Sequence, residues 1–331
     1  MSKFIVRRVA LALVIIFLGA FIIYGVMRCM PTSFVEGLAR QRAAASATTG
    51  GPTYQEWLEQ LNEAYHMNDN VVAGYLKWVG GVLHGDFGNS WKYGIPVVEK
   101  FDQVIWYSVV LNIITLILEV VICIPLGIQA ARHQYSGLDY GITVFSMLCI
   151  SLPTFFLATV LKYIFSVKLG WFDLYGIVGR YHEQLSTAGK MWDMVNHMVL
   201  PVLTLTMLNV GGLTRYTRTN MLEVLNADYI RTARAKGLSE RVVINRHAFR
   251  NTLIPLVSYM SYLIPSLFSG SMITETLFQI PGIGYISYDA MVAGDLPFTM
   301  FYSVFLLALT QVSLMVADIM YAVVDPRVRV N

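Results

Sequence analysis

Charge is scarce in this sequence. Asp, Glu, Lys and Arg make up 14% of its 331 residues, against about 25% in soluble domains. So little charge cannot cover a water-facing surface, so a soluble enzyme fold is excluded. Disorder is excluded too, since it needs high charge with low hydrophobicity. Cysteine is scarcer still. Cys29, Cys123 and Cys149 are too few and too scattered for a zinc site or a disulfide framework, and the latter two read as small buried thiols in apolar runs. No period of 20–50 residues marks a repeat architecture. Catalytic signatures are missing as well: there is no G-x-x-x-x-G-K-[ST] phosphate loop, no H-E-x-x-H, and no glycine-rich strand-to-helix turn. The histidines (His66, His84, His133, His182, His197, His247) are spread over different loops and edges, so neither a catalytic nor a metal cluster is expected. What the chain has in abundance is apolar surface, with 56% hydrophobic residues and a mean hydropathy of +0.55. The class left is an all-α polytopic membrane protein.

Six apolar stretches are long enough, or nearly so, to cross a bilayer of about 30 Å. They are Val9–Val26, Val104–Ala131, Tyr140–Phe165, Met198–Gly212 (a full span only if extended to about Tyr216), Thr252–Ile273 and Phe298–Val323. The first is longer than a signal-peptide core and has no small-residue cleavage site beside it, so it reads as an uncleaved helix. Pro125, Pro153, Pro201, Pro255 and Pro265 fall in or at the edges of these runs and predict kinks. The organisation expected is an N-terminal transmembrane helix over residues 1–28, an extracytoplasmic subdomain over 29–100, and a core domain over 101–331 with five further spans. Residues 168–197, with Trp171, Trp192 and several tyrosines, read as an interfacial loop.

Lys and Arg are distributed unevenly. Residues 1–10, 131–139, 215–250 and 322–331 hold fourteen, and the longer segments 29–100, 168–197 and 276–296 hold eight. Positive residues favour the cytoplasmic side. Both termini and the 215–250 loop are therefore expected inside, and 29–100 outside.

The 215–250 loop carries eight Lys/Arg and three acids. Met221, Leu222, Leu225 and Tyr229 recur at helical spacing, then Gly237 interrupts, and Val242, Val243 and His247 resume it. This predicts a short helix, a glycine turn and a second helix starting near Ser239. A basic loop of this kind can simply meet anionic lipid. A lipid-facing helix, however, should be continuously amphipathic, and the glycine and the interspersed acids point instead to a hairpin that docks on a partner.

At these residues the chain resembles the permeases of bacterial ABC importers, whose cytoplasmic loop is the EAA loop. With the glycine placed on Gly237, Arg231, Thr232 and Ala233 stand where the general pattern has Glu-Ala-Ala. The oligopeptide/dipeptide branch fits better. Asp228-Tyr229-Ile230-Arg231-Thr232-Ala233-Arg234-Ala235-Lys236-Gly237-Leu238, Arg246-His247-Ala248-Phe249-Arg250-Asn251 and Ile254-Pro255 are similar to it. So are Gly85-Asp86-Phe87-Gly88-Asn89-Ser90, Pro281-Gly282-Ile283-Gly284 and Asp325-Pro326-Arg327-Val328-Arg329. The resemblance covers all but about residues 32–60. It implies a type I importer permease with six transmembrane helices and a cytoplasmic coupling-helix loop, in the inner membrane of a bacterium. It further implies a second homologous permease, two ATPase subunits that use ATP and Mg, an extracytoplasmic binding protein, and a peptide cargo. No cofactor or catalytic role is implied for this chain. Nickel or another small solute is the alternative cargo, and a channel the alternative class. Asp228, Tyr229, Arg231, Thr232, Ala233, Arg234, Ala235, Lys236, Gly237 and Leu238 are then the residues expected to couple to the ATPases.

Charges inside the spans need a partner or a cavity. Glu119 reads either as pathway wall or as a helix-packing hydrogen bond. Glu275 reads as facing an outer gate or solvent. Lys162 is expected to snorkel to the interface, and Asp318 to sit near the inner end of span six or pair with Arg327. Asp86 and Ser90 read as a turn or cap, since no base is placed to make a nucleophile.

Overall fold

The computed structural model of the chain describes residues 2–29, 34–46, 51–64, 67–261 and 263–324. These residues are helical throughout, apart from connections and one isolated bridge between Asn89 and Pro96. The helices are α1 (Ser2–Cys29), α2 (Phe34–Ser46), α3 (Tyr54–Ala64), α4 (Val71–Leu83), α5 (Val97–Arg132), α6 (Gly137–Ser151), α7 (Thr154–Leu161), α8 (Thr187–Leu225), α9 (Asp228–Ala235), α10 (Glu240–Val242), α11 (Phe249–Ser261), α12 (Ile264–Phe268), α13 (Met272–Phe278), α14 (Ile283–Val292) and α15 (Leu296–Val324). A π-helical stretch, Lys162–Lys168, continues α7, and another, Val243–Ala248, joins α10 to α11.

The described residues show an all-α multi-pass membrane protein with fewer clear spans than the six expected. Among the described residues four helices are long and apolar enough to cross a membrane: the first apolar helix from Val6, then α5, α8 and the Leu296–Ala317 part of α15. A fifth arises only if α6 and the α7 segment, Gly137–Ser151 and Thr154–Lys168, count as one span bent by 104°. The bend falls on Pro153. Its ring drives Leu152 out of the helical region (φ −80°, ψ 128°), so this proline breaks the helix rather than kinking it. Pro125, Pro201 and Pro255 stay inside α5, α8 and α11. The stretch expected as span five is divided between α11 and α12.

Two other expectations shift. The segment 168–197 is not loop throughout, because α8 begins at Thr187, capped by Ser186 Oγ accepting the Gly189 N–H at 3.2 Å. α8 also runs on to Leu225, so the 215–250 loop opens with eleven helical residues.

The chain divides into two compact units. In the first, residues up to Ile105 pack with Ile286–Gln311. Here α1 lies on α4 through Ala20, Tyr24 and Tyr75, and the Tyr75 hydroxyl donates to the Phe17 carbonyl at 2.6 Å. α3 starts with a reciprocal cap, the Thr53 N–H donating to Glu56 at 2.7 Å and the Glu56 N–H donating to Thr53 Oγ1 at 3.4 Å. Asp295 is wholly buried at the head of α15. Its carboxylate accepts the Phe298 N–H at 3.2 Å, the Trp91 and Lys92 N–H groups at 3.2 and 3.1 Å, and the Ser90 hydroxyl. Asp86 closes the turn before it by accepting the Gly88 N–H at 2.8 Å. The Asp86–Ser90 stretch is thus a turn anchored to a helix cap, as its sequence indicated.

In the second unit, Trp106–Tyr285 with the chain from Val312, α6 lies along α8. Arg218 of α8 forks onto Asp139 of α6 with two hydrogen bonds of 2.7 Å, and Asp139 is buried. Leu111, Leu157, Leu161, Leu200 and Phe278 form one apolar core, and Cys123, Val210, Leu213 and Leu256 a second. Cys123 and Cys149 are free and buried, as expected.

Candidate functional site

The glycine-split hairpin forms where the pattern placed it. α9 ends with Lys236 as its cap residue and Gly237 beyond it at φ +77°. The Gly237 N–H donates to the Arg234 carbonyl at 2.9 Å, and the Leu238 N–H to Ala233 at 3.4 Å. These two bonds are the Schellman pattern, which satisfies the last carbonyls of a helix and requires a left-handed residue where glycine is the unstrained choice. No atom lies within 4 Å of where a Gly237 side chain would begin, so the constraint at 237 is backbone conformation and not crowding.

The hairpin is held by its apolar side. Ile230 and Ala233 are buried in a cluster with Ala131, Met221, Val243, Ile244 and Ala248. Of the ten coupling candidates, Ala233 points inward, and Asp228, Tyr229, Arg231, Thr232, Arg234, Ala235, Lys236, Gly237 and Leu238 are exposed. The bases behave differently from one another. Arg234 reaches over the turn and grips Glu240 with hydrogen bonds of 2.8 and 3.2 Å. That guanidinium holds the Glu240 carboxyl below the ordinary glutamate range. Arg231 is largely solvent-exposed, 3.5 Å from Asp228 in a surface pair, which contributes little.

A cavity of about 490 Å³ opens among α5, α8, α11 and the Leu263–Ser271 stretch. Its walls carry amides and hydroxyls, including Asn112, Thr115, Asn209, Tyr259 and Ser271, together with Glu119. Glu119 is 5% exposed and shares the cavity wall with Asn209 of α8. Of the two readings of Glu119, the cavity-wall one has a geometric observation behind it. Asn209 was not singled out in the sequence, although an amide in the apolar run Met198–Gly212 was a usable signal.

Residues 123–330 match the family described as the binding-protein-dependent transport system inner membrane component. The chain belongs to this family. It is 41% identical over 271 residues to the oligopeptide transport system permease protein AppB of Bacillus subtilis, covering 82% of this chain and 84% of that one. It is 32% identical over 330 residues to the oligopeptide transport system permease protein OppB of Salmonella typhimurium, covering 99% and 100%. A putative peptide transport system permease protein of Brucella abortus is 31% identical over 329 residues, 99% of each chain. The inner membrane component is the non-catalytic part of such a system, with ATPase activity in separate subunits.

Other candidates of this family member land away from the cavity wall. Glu275 is fully buried and does not face solvent. Its carboxylate accepts the Ser108 hydroxyl at 2.7 Å and the Ser271 and Tyr285 N–H groups at 2.8 Å each. The Pro281-Gly282-Ile283-Gly284 turn wraps this carboxylate so closely that a side chain on Gly282 would start 2.5 Å from Ser108 Oγ and from the Glu275 carboxyl carbon. Lys162 does not snorkel. It is buried, donates to the Leu277 carbonyl at 2.6 Å, and lies 3.9 Å from the Tyr175 ring centre. The side chain of Asp318 and the Asp325–Arg329 motif lie outside the described residues.

The histidines are less dispersed than their numbering. Asp193 accepts from His182 Nδ1 at 2.6 Å and from the Gly179 N–H at 2.9 Å, while its backbone carbonyl accepts from His197 Nδ1 at 2.8 Å. Ligand atoms of Asp173, Asp193 and His197 fall within 4.8 Å of one another. Both imidazole Nδ1 atoms are already spent on hydrogen bonds, so the arrangement is a clasp tying the 179–182 loop to α8.

Proposed function

We propose that this chain is the permease subunit of an ATP-driven peptide importer, forming the translocation pathway with a second homologous permease. Its relatives are named as oligopeptide and peptide transport system permeases, and the shared sequence spans nearly the whole chain. The observation that carries the mechanism is the hairpin. Its apolar side is fastened by Ile230 and Ala233, and its turn is fixed by Gly237. It therefore presents nine of the ten coupling candidates outward on a rigid support.

In this reading the hairpin rests on the nucleotide-binding partners, two ATPases that use ATP and Mg. α8, continuous from Thr187 to Leu225, carries their movement to the cavity wall that bears Asn209. The cargo arrives from an extracytoplasmic binding protein. The pathway is lined by amides, hydroxyls and Glu119, groups that can pair with peptide N–H, carbonyl and ammonium groups. Six crossings follow if the bent α6–α7 pair and the divided α11–α12 stretch each traverse the bilayer, broken backbone being tolerated where it is buried or lines a cavity. The Lys/Arg bias then places both termini and residues 215–250 in the cytoplasm of a bacterial inner membrane and residues 29–100 outside.

The test is affinity purification of the tagged chain with its partners identified by mass. Co-purification of an ATPase pair and a second permease, lost when Arg231 and Lys236 are both changed to Glu, is the expected result. Labelling that finds position 237 accessible from outside the cell, or solute flux through the chain without an ATPase, would overturn the proposal.

A further inference from the structure

Glu119 stands about two-thirds of the way along the 36-residue α5, on the wall of the 490 Å³ cavity. Among the described lining residues it is the one charged group, and no Lys, Arg or His shares the wall with it. Asn112 and Thr115 lie two turns and one turn before it on the same face of α5. An ionised carboxylate withdrawn from water and lacking a counter-cation is costly, and an ionisable residue at membrane depth marks a solute pathway by default. A cation entering the cavity meets this carboxyl group with no competing positive group on the wall.

The neighbouring groups say which kind. Asn209 on α8 and Tyr259 on α11 line the same cavity as Glu119. Each offers an oxygen that can accept a hydrogen bond. A carboxylate, an amide oxygen and a phenol oxygen suit a group with three N–H donors and one positive charge, which is a primary ammonium. A metal cation would instead draw several charged or imidazole ligands, and the wall has one. The cavity also falls within the roughly 300–1,000 Å³ range of small-molecule sites.

We infer that Glu119 selects cargo bearing a primary ammonium, completing with Asn209 and Tyr259 an acceptor set for that group. This rests on the peptide-importer reading and assigns that pathway its specificity residue. The ammonium can be the α-amino end of a peptide or a lysine side chain. An anionic terminus finds no cationic partner on this wall.

The experiment measures uptake by the purified complex, with all its subunits, in proteoliposomes. The cargoes are trialanine, N-acetyl-trialanine and N-acetyl-Ala-Lys-Ala. The wild-type complex is expected to favour trialanine over its acetylated form at least tenfold in apparent kcat/KM. Glu119→Gln should bring that ratio to within twofold of one, and Glu119→Asp should restore most of it. The binding protein is the same in every arm, so a change in ratio belongs to position 119. Recovery of uptake with N-acetyl-Ala-Lys-Ala assigns the site to any primary ammonium, and no recovery assigns it to the α-amino group; either supports the inference. Equal losses for free and acetylated cargo in Glu119→Gln, or an unchanged ratio, overturn it in favour of a helix-packing role. If Glu119→Gln fails to assemble, Tyr259→Phe takes its place: a lowered ratio supports the inference, and an unchanged ratio, or a wild-type value near one, overturns it. A wild-type complex that takes up none of the three peptides removes the peptide-importer reading itself, an outcome distinct from uptake without preference.

Discussion

The ammonium of Lys162 donates to the backbone carbonyl of Leu277 at 2.6 Å. The last carbonyls of a helix have no partner within it, and in α13 each finds one elsewhere. Glu275 O takes the Ile280 N–H, Thr276 O the Gln279 N–H, Leu277 O the Lys162 ammonium, and Phe278 O the Gly176 N–H. A positive charge at a helix C-terminus also opposes the helix dipole. Lys162 is therefore the cap of a neighbouring helix, a role that its place in an apolar run conceals.

Replacing Lys162 by Met is expected to keep the packing and lose a charge-assisted hydrogen bond, a cost of about 1.5–3 kcal/mol. The purified complex should melt at a lower temperature in scanning fluorimetry, while membrane insertion is unaffected. An unchanged melting temperature would show that the bond contributes nothing.

Glu275→Gln should destabilise the turn around Pro281 strongly. The carboxylate accepts from three donors, and an amide has only one oxygen with which to do so. Each donor left unpaired costs about 1–3 kcal/mol. Because Ser108 shares this network and also accepts the Ile283 N–H at 2.8 Å, Ser108→Ala and Glu275→Gln should be non-additive in a double-mutant cycle. Additive melting shifts would contradict the network.

Gly237→Val should impair coupling far more than Gly237→Asn. The open space around Gly237 accommodates either side chain. The left-handed backbone, though, costs a residue with a Cβ roughly 1–2 kcal/mol, and asparagine is the residue that best tolerates it. Transport-stimulated ATPase activity and uptake in the assembled complex are the measurements. Equal activity in the two variants would remove the turn from the mechanism.

The Arg234–Glu240 brace should weaken in acid. The Glu240 carboxyl titrates below its ordinary value because Arg234 hydrogen-bonds its charged form. A depressed carboxylate contributes stability that is present above its unfolded value and is lost as pH falls through the folded one. Both groups are about half-exposed, so the effect is at most about 1 kcal/mol. Amide exchange across residues 228–242 should quicken, relative to the intrinsic rate, as pH falls below the ordinary glutamate range, and Glu240→Gln should remove that dependence. The same pH dependence in the variant would assign it to another group.

Much of this was legible in the sequence because it is local. The apolar run near residues 104–131 became α5 with little change, since length and composition suffice to specify a membrane helix. The helix–glycine–helix reading of 228–242 held because a Schellman turn depends on one glycine and its immediate neighbours. The break at Pro153 was harder, because the same residue type stays within α5, α8 and α11. Whether a proline bends or interrupts a helix depends on which neighbours satisfy the freed backbone groups.

The sequence by itself determined the solvent this protein lives in, the main helices and the outward-facing hairpin, since hydropathy, periodicity and turn chemistry act over a few residues. Folding in three dimensions settled which polar groups meet, Ser108 with Glu275 across 167 positions and Lys162 with Leu277 across 115, and it set Glu119 and Asn209 on one cavity wall. A buried polar group must find a partner, but nothing in its local sequence names that partner. The choice falls to whichever helix the packing of apolar surfaces brings alongside.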